Sequence, residues 1–155
     1  MVTSILGLPV HPLIVHATVV AVPAAAMCVL LAALWPRFRH WFGWGPLVIS
    51  GLALVLYPLT TSTGEALEHQ LGASPAIEHH ASLAEGLLPW LVGLTIASIG
   101  LVGWRYSGSR LIGGRTVPSW ARVAIGVLSV ATGLGSLVWV VLVGHAGAEA
   151  VWSRA

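Results

Sequence analysis

The sequence contains no lysine and no aspartate, it has one cysteine, and only 8% of its 155 residues are charged. A soluble globular domain carries about a quarter of its residues as charged groups. With 57% hydrophobic residues and a mean hydropathy of +0.90, the chain lies outside that class and reads as an integral membrane protein. The single cysteine, Cys28, excludes an internal disulfide and the paired thiols of covalent c-type haem, and its place in an apolar run suits core packing. Seven arginines form the whole cationic complement and five glutamates the anionic one, so a pI of about 9.3 rests on very few groups and points to no nucleic-acid partner. A phosphate loop, a Ser-His-Asp pattern and a zinc HExxH helix are all missing, which leaves hydrolase and kinase chemistry without support. The first twelve residues hold neither lysine nor arginine, so the charged region of a cleavable signal peptide is lacking and the first apolar run is expected to stay as a helix.

What is present is a set of four apolar segments, at approximately 13–35, 46–63, 83–104 and 121–145. Each is near the roughly 20 residues that cross about 30 Å of hydrocarbon at 1.5 Å per residue. The expectation is an all-α integral membrane four-helix bundle forming one domain over 1–155, with an outer loop at 64–82. Pro23, Pro58 and Pro89 fall in or near these helices, where neighbours must repair the lost backbone bonds. Ser129 and Gly133, Thr132 and Ser136, and Gly93 and Ala97 have the spacing of small residues that lets membrane helices approach closely.

Charge gives an orientation. Arg37 and Arg39 in the first connection, and Arg105, Arg110, Arg115 and Arg122 around the third, put six of the seven arginines at one membrane face. The positive-inside rule makes that face cytoplasmic and both termini external. Trp35, Trp41, Trp44, Trp104 and Trp120 gather at the same level as an interfacial belt, and Trp90 and Trp152 belong near the other face.

With that topology the remaining ionisable groups collect outside. Glu65, Glu68, Glu78, Glu85 and Glu149 fall there with His11, His16, His69, His79, His80 and His145, and only His40 is inside. Segments distant in sequence thus bring polar groups to one depth. His11 precedes a proline and is expected in an extended conformation just before the first helix, with His16 about one turn inside it. An ionisable group in a span is costly, which favours a ligand or proton-handling role for His16 over a histidine merely bonded to a carbonyl. His145 lies about 36 Å along the fourth helix, at the outer boundary. Adjacent His79 and His80 differ by about 100° on a helix, and His80 is expected to be the inward one. Glu65 with His69, and His145 with Glu149, are spaced to share a helical face. A carboxylate behind a histidine is a common outer support for a metal, whereas a solvated ion pair is the plainer reading.

The stretches "GLPVHPLIVH", "TTSTGEALE", the histidine at His80 and "GHAGAEAVW" together resemble the bacterial four-helix membrane family called domain of unknown function 2231. The most specific element is HPxxVH, His11 to His16, supported by Thr63 and Gly64 and by the segment around Glu149. Many relatives follow Thr-Gly with an aspartate and a tryptophan, where this chain has Glu65, and some end in His-Gly, where it has "SRA". Some relatives also carry Rieske-type or cytochrome c-like modules, so the resemblance implies a redox role in the bacterial cytoplasmic membrane.

Histidines from separate helices at one depth are the arrangement that holds a b-type haem in a bundle. The expected axial pair is His16 with either His80 or His145, with His11 nearby. Trp90 and Trp139 are expected to flank the macrocycle, with Arg154 the one outer arginine for its propionates. The protein would then pass single electrons like a small cytochrome b, embedded in lipid, with a quinone or an extracytoplasmic redox protein as partner and homo-oligomerisation left open. The alternative is a haem-free site for zinc, copper or iron, or a metal-transport mouth, formed by His16, His80, His145, Glu65 and Glu149. A third reading is a non-catalytic membrane subunit whose histidines titrate between about pH 5 and 8.

Overall fold

An apolar run in a bilayer finds no water for its backbone and closes its hydrogen bonds internally as helix. The computed structural model, which describes residues 4–5, 8–72, 74–108 and 113–152, is accordingly helical almost throughout. A two-residue antiparallel pairing of β1 (Ser4–Ile5) with β2 (Leu8–Pro9) precedes α1 (Val10–Leu34). Then follow α2 (Pro36–Phe42), α3 (Gly45–Leu71), α4 (Pro75–Glu85), α5 (Leu88–Arg105) and α6 (Ser119–Trp152). Among the described residues four stretches are long and apolar enough to cross a membrane: Leu13–Leu34, Gly45–Gln70, Pro75–Arg105 and Ser119–Trp152. The third joins α4 and α5 across a break at Gly86 and Leu87.

The four spans form a ring, with α1 against α3 and α6, and α5 against α3 and α6. Val22, Ala25, Ala26 and Val29 of α1, Ala53 of α3, Leu91, Leu94 and Leu101 of α5, and Val140 of α6 make its core. Hydroxyls stitch the ring where small residues permit it. Thr18 and Thr60 join α1 to α3 at 2.7 Å, and Ser50 donates to Ser98 across α3 and α5 at 3.0 Å.

The tightest seam runs between the third and fourth spans. A Cβ on Gly86 would collide with the Trp139 indole, one on Gly93 would lie 2.7 Å from Thr132, and one on Gly100 would lie 2.8 Å from Ile125. Each step moves seven residues along one helix and seven back along the other, so the two meet antiparallel along a heptad seam of small residues. Trp90 fits the same register from the opposite side, lying where a Cβ on Gly135 would be. At the break the Leu87 amide bonds Ala84 O instead of Leu83 O, and Trp139 Nε1 donates to the released Leu83 carbonyl at 2.7 Å. The Leu83 carbonyl therefore keeps a donor at the break.

Several boundaries differ from the sequence expectation. His11 is inside α1, because a proline in the first turn of a helix gives up no intrahelical bond, and Pro12 stands there. Residues 64–82 are not an outer loop: α3 runs on to Leu71, carried by the strong helix formers of "EALEHQL", so Glu65, Glu68 and His69 are helical. The chain then breaks only briefly before α4, which Ser74 caps by accepting from Ile77 N at 3.4 Å and which has Pro75 in its first turn. The fourth helix continues past His145 to Trp152 and includes Glu149.

The connection between the first two spans is built around a buried arginine. In a continuing helix Ala32 O would accept from residue 36, but Pro36 has no N–H. Arg39 Nη1 takes that role, donating to Ala32 O at 2.8 Å and to Ala33 O at 3.4 Å, while its guanidinium lies 3.8 Å from the centroid of the Trp104 ring. The cation also meets the negative end of the α1 dipole. Burial pushes the guanidinium below its ordinary value, a cost that these contacts offset. Arg39→Ala is expected to lower stability by about 1.5–3 kcal/mol, the range for a hydrogen bond to a charged group. The check is SDS-induced unfolding in detergent followed by helical ellipticity. Adding Pro36→Ala should return part of the loss by restoring an N–H for Ala32 O, and no return would mean that the cap is not what Arg39 supplies.

Candidate functional site

The helical α4 decides which histidine reaches the bundle. His79 is exposed and His80 is half-buried against α6. His80 Nδ1 lies 3.1 Å from Val143 O, and a Cβ on Gly147 would sit 3.1 Å from the imidazole, so the ring lies along the face of α6 that Val143 and Gly147 share. A carbonyl only accepts, so Nδ1 is the donor, and in the neutral tautomer this leaves the lone pair on Nε2. Nε2 has no hydrogen-bond partner among the described residues. An imidazole oriented through one nitrogen and open at the other is the usual form of a metal-ligating histidine.

His145 is two residues from both Val143 and Gly147, about 200° around α6, and so lies on the far face from His80. Its Nε2 is 3.2 Å from Glu149 Oε1, and the two side chains are 74% and 59% exposed. His80 and His145, the two alternative partners expected for His16, thus lie on different faces of α6.

His16 shares the depth of His80. Leu30 packs on Gly133; fourteen residues back along α1 is His16, and fourteen forward along α6 is Gly147, beside the His80 ring. Yet His16 is exposed at the rim of the bundle and not enclosed within it. The side chain of His11, and Arg154, lie outside the described residues. Glu65 with Glu68, His69 and Gly72 lines an open cleft of about 340 Å³ at the end of α3. The expected pairing of Glu65 with His69 is not an ion pair among the described residues.

The interior at this end is filled. Trp90 and Trp139 do not flank a slot: their ring centroids are 6.2 Å apart, and each ring occupies a glycine notch, at Gly135 and Gly86. Among the described residues no three or more of His, Cys, Asp and Glu converge as a metal cluster, so the set His16, His80, His145, Glu65 and Glu149 is not gathered at one point. Reading the chain alone missed the Val143 carbonyl behind His80. The available signal was Ser74-Pro75, a helix start that makes α4 a helix and fixes the phase of His80.

A family model described as a predicted membrane protein, DUF2231, matches residues 7–155, a span that takes in all six helices. The chain belongs to that family. No curated protein and no solved structure shows detectable similarity. Membership agrees with a multi-pass DUF2231 membrane protein in contact with lipid, and its description names no chemistry, so function is argued from His80 and its surroundings.

Proposed function

We propose that this DUF2231 protein is a membrane electron carrier in which His80 and His16 would hold a b-type haem at the histidine-bearing end of the bundle. The observation behind this reading is the state of His80, whose Nδ1 is committed to Val143 O and whose Nε2 is open. The donor set suits the group: two imidazoles at one depth, one of them already oriented. The fit is to the rim of the bundle, since Trp90 and Trp139 fill the seam beneath. A haem bound there supplies one-electron chemistry. Val143 O keeps the His80 tautomer, and Gly147 allows the ring to rest on the α6 backbone. With the arginines on the cytoplasmic side and both termini outside, the site faces the outer leaflet of a bacterial cytoplasmic membrane, within reach of a quinone or an extracytoplasmic redox protein.

One observation favours a second reading. His145 and Glu149, already in contact and exposed, offer two ligands on one helical face to a zinc, copper or iron ion without haem. The visible spectrum of the detergent-purified chain, before and after dithionite, separates the two. A Soret band with sharpened reduced α and β bands is the expected result. A featureless spectrum from haem-supplemented cells, with stoichiometric metal by elemental analysis, would replace haem with the bare-metal site. Neither cofactor would leave a non-catalytic membrane subunit.

A further inference from the structure

We infer that the arginine-bearing end of the bundle carries a binding site for the phosphate headgroup of an anionic phospholipid, built from Arg105, Tyr106 and the turn at Gly43 and Trp44. Charge balance comes first. All five glutamates lie on the far part of α3, on α4 or at the end of α6, so the end bearing Arg37, Arg39, Arg105 and Arg122 has no carboxylate of its own. Among the described residues no arginine is in an ion pair. Counter-anions must come from outside the chain.

The two arginines beside α2 differ in what they leave free. The Arg39 guanidinium is buried at the end of α1, where Nη1 bonds Ala32 O and Nε is shut away from any ligand without a partner among the described residues. Arg105 instead donates Nε to His40 O at 3.2 Å, and its guanidinium lies 4.9 Å from the centroid of the Tyr106 ring. These contacts hold its plane, while its terminal amino groups have no acceptor among the described residues. A held guanidinium with free terminal donors matches two oxygens of a phosphate. The Tyr106 hydroxyl lies 3.5 Å from where a Cβ on Gly43 would be, in a turn that needs φ of +57°, and the Tyr106 ring packs on Trp44 at 5.7 Å. A second donor thus stands beside the same rim.

The surroundings select a lipid over a free anion. Trp44 is half exposed, at the depth where indoles sit among headgroups. From that turn α3 exposes Val48, Leu52 and Val55, an apolar track running away from the arginines along which an acyl chain can lie.

Native mass spectrometry of the delipidated, detergent-solubilised chain tests the site with dioleoylphosphatidylglycerol against dioleoylphosphatidylcholine. The wild type should retain the anionic lipid about fivefold better, the factor that corresponds to one basic group at a membrane surface. Arg105→Gln should lose the preference and Arg122→Gln should keep it. Equal retention of both lipids by the wild type, or undiminished preference in Arg105→Gln, overturns the inference. Displacement of the lipid by millimolar inorganic phosphate also overturns it, by making the site one for a free anion. Should Arg105→Gln not purify as a folded protein, Arg105→Lys is read in its place: it keeps the charge and loses the fork, and retention equal to wild type then counts against the site.

Discussion

His80→Ala is expected to reduce the Soret band and the dithionite-reduced α band to background, while His69→Ala and His145→Ala leave both in place. The first substitution removes the histidine whose ring is held against α6 through Nδ1 with Nε2 open. It disturbs little else, since the ring rests on the surface of α6 and the seam below is closed by Trp139 in Gly86 and Trp90 in Gly135. Helical ellipticity and gel filtration of His80→Ala should therefore match the wild type, and added imidazole should restore part of the spectrum by filling the vacated place. The His145 comparison carries the most information. Sequence spacing admits His80 or His145 equally as the partner of His16, but α6 turns His145 to the opposite side and gives it Glu149. A spectrum lost in His145→Ala and kept in His80→Ala would sink the assignment. A spectrum unchanged in both would remove haem ligation from this end of the bundle.

The four spans were legible because a membrane imposes one requirement, unbroken internal hydrogen bonding over about 30 Å, that composition alone reveals. The ends of the helices were not, because beyond the hydrocarbon that requirement lapses and ordinary propensity and capping take over. Hence "EALEHQL" extends α3, Ser74 and Pro75 start α4, and Pro12 sits harmlessly in the first turn of α1. The candidate site shows the same division. Its depth followed from topology, and the inward turn of His80 from helical phase. The carbonyl of Val143 could not be read, since it depends on the register between α4 and α6. Arg39 was legible as part of the connection between the first two spans, but its task as the missing donor for Ala32 O depends on Pro36 three residues before it, a backbone relation that charge counting does not see.

The seam between the third and fourth spans should be the least tolerant part of the molecule. Gly135→Ala adds one methyl group, and that methyl would occupy the space of the six-membered ring of Trp90. Trp90 cannot easily swing aside, because Trp139 packs against it and is itself held by Leu83 O. Overpacking of this kind costs about 1–3 kcal/mol, so Gly135→Ala should unfold at distinctly lower SDS mole fraction than the wild type. Trp90→Leu alone opens a void and should also destabilise. The double variant distinguishes the seam from simple loss of helix stability. On an exposed helix glycine to alanine is stabilising, so any penalty here must come from the partner ring. Combining Gly135→Ala with Trp90→Leu should recover part of both losses, with a coupling of about 0.5–3 kcal/mol, as for residues in direct contact. Strict additivity would mean that the Trp90 ring does not lie in the Gly135 notch. The antiparallel register from Gly86 to Gly100 would then rest on Trp139, Thr132 and Ile125 alone.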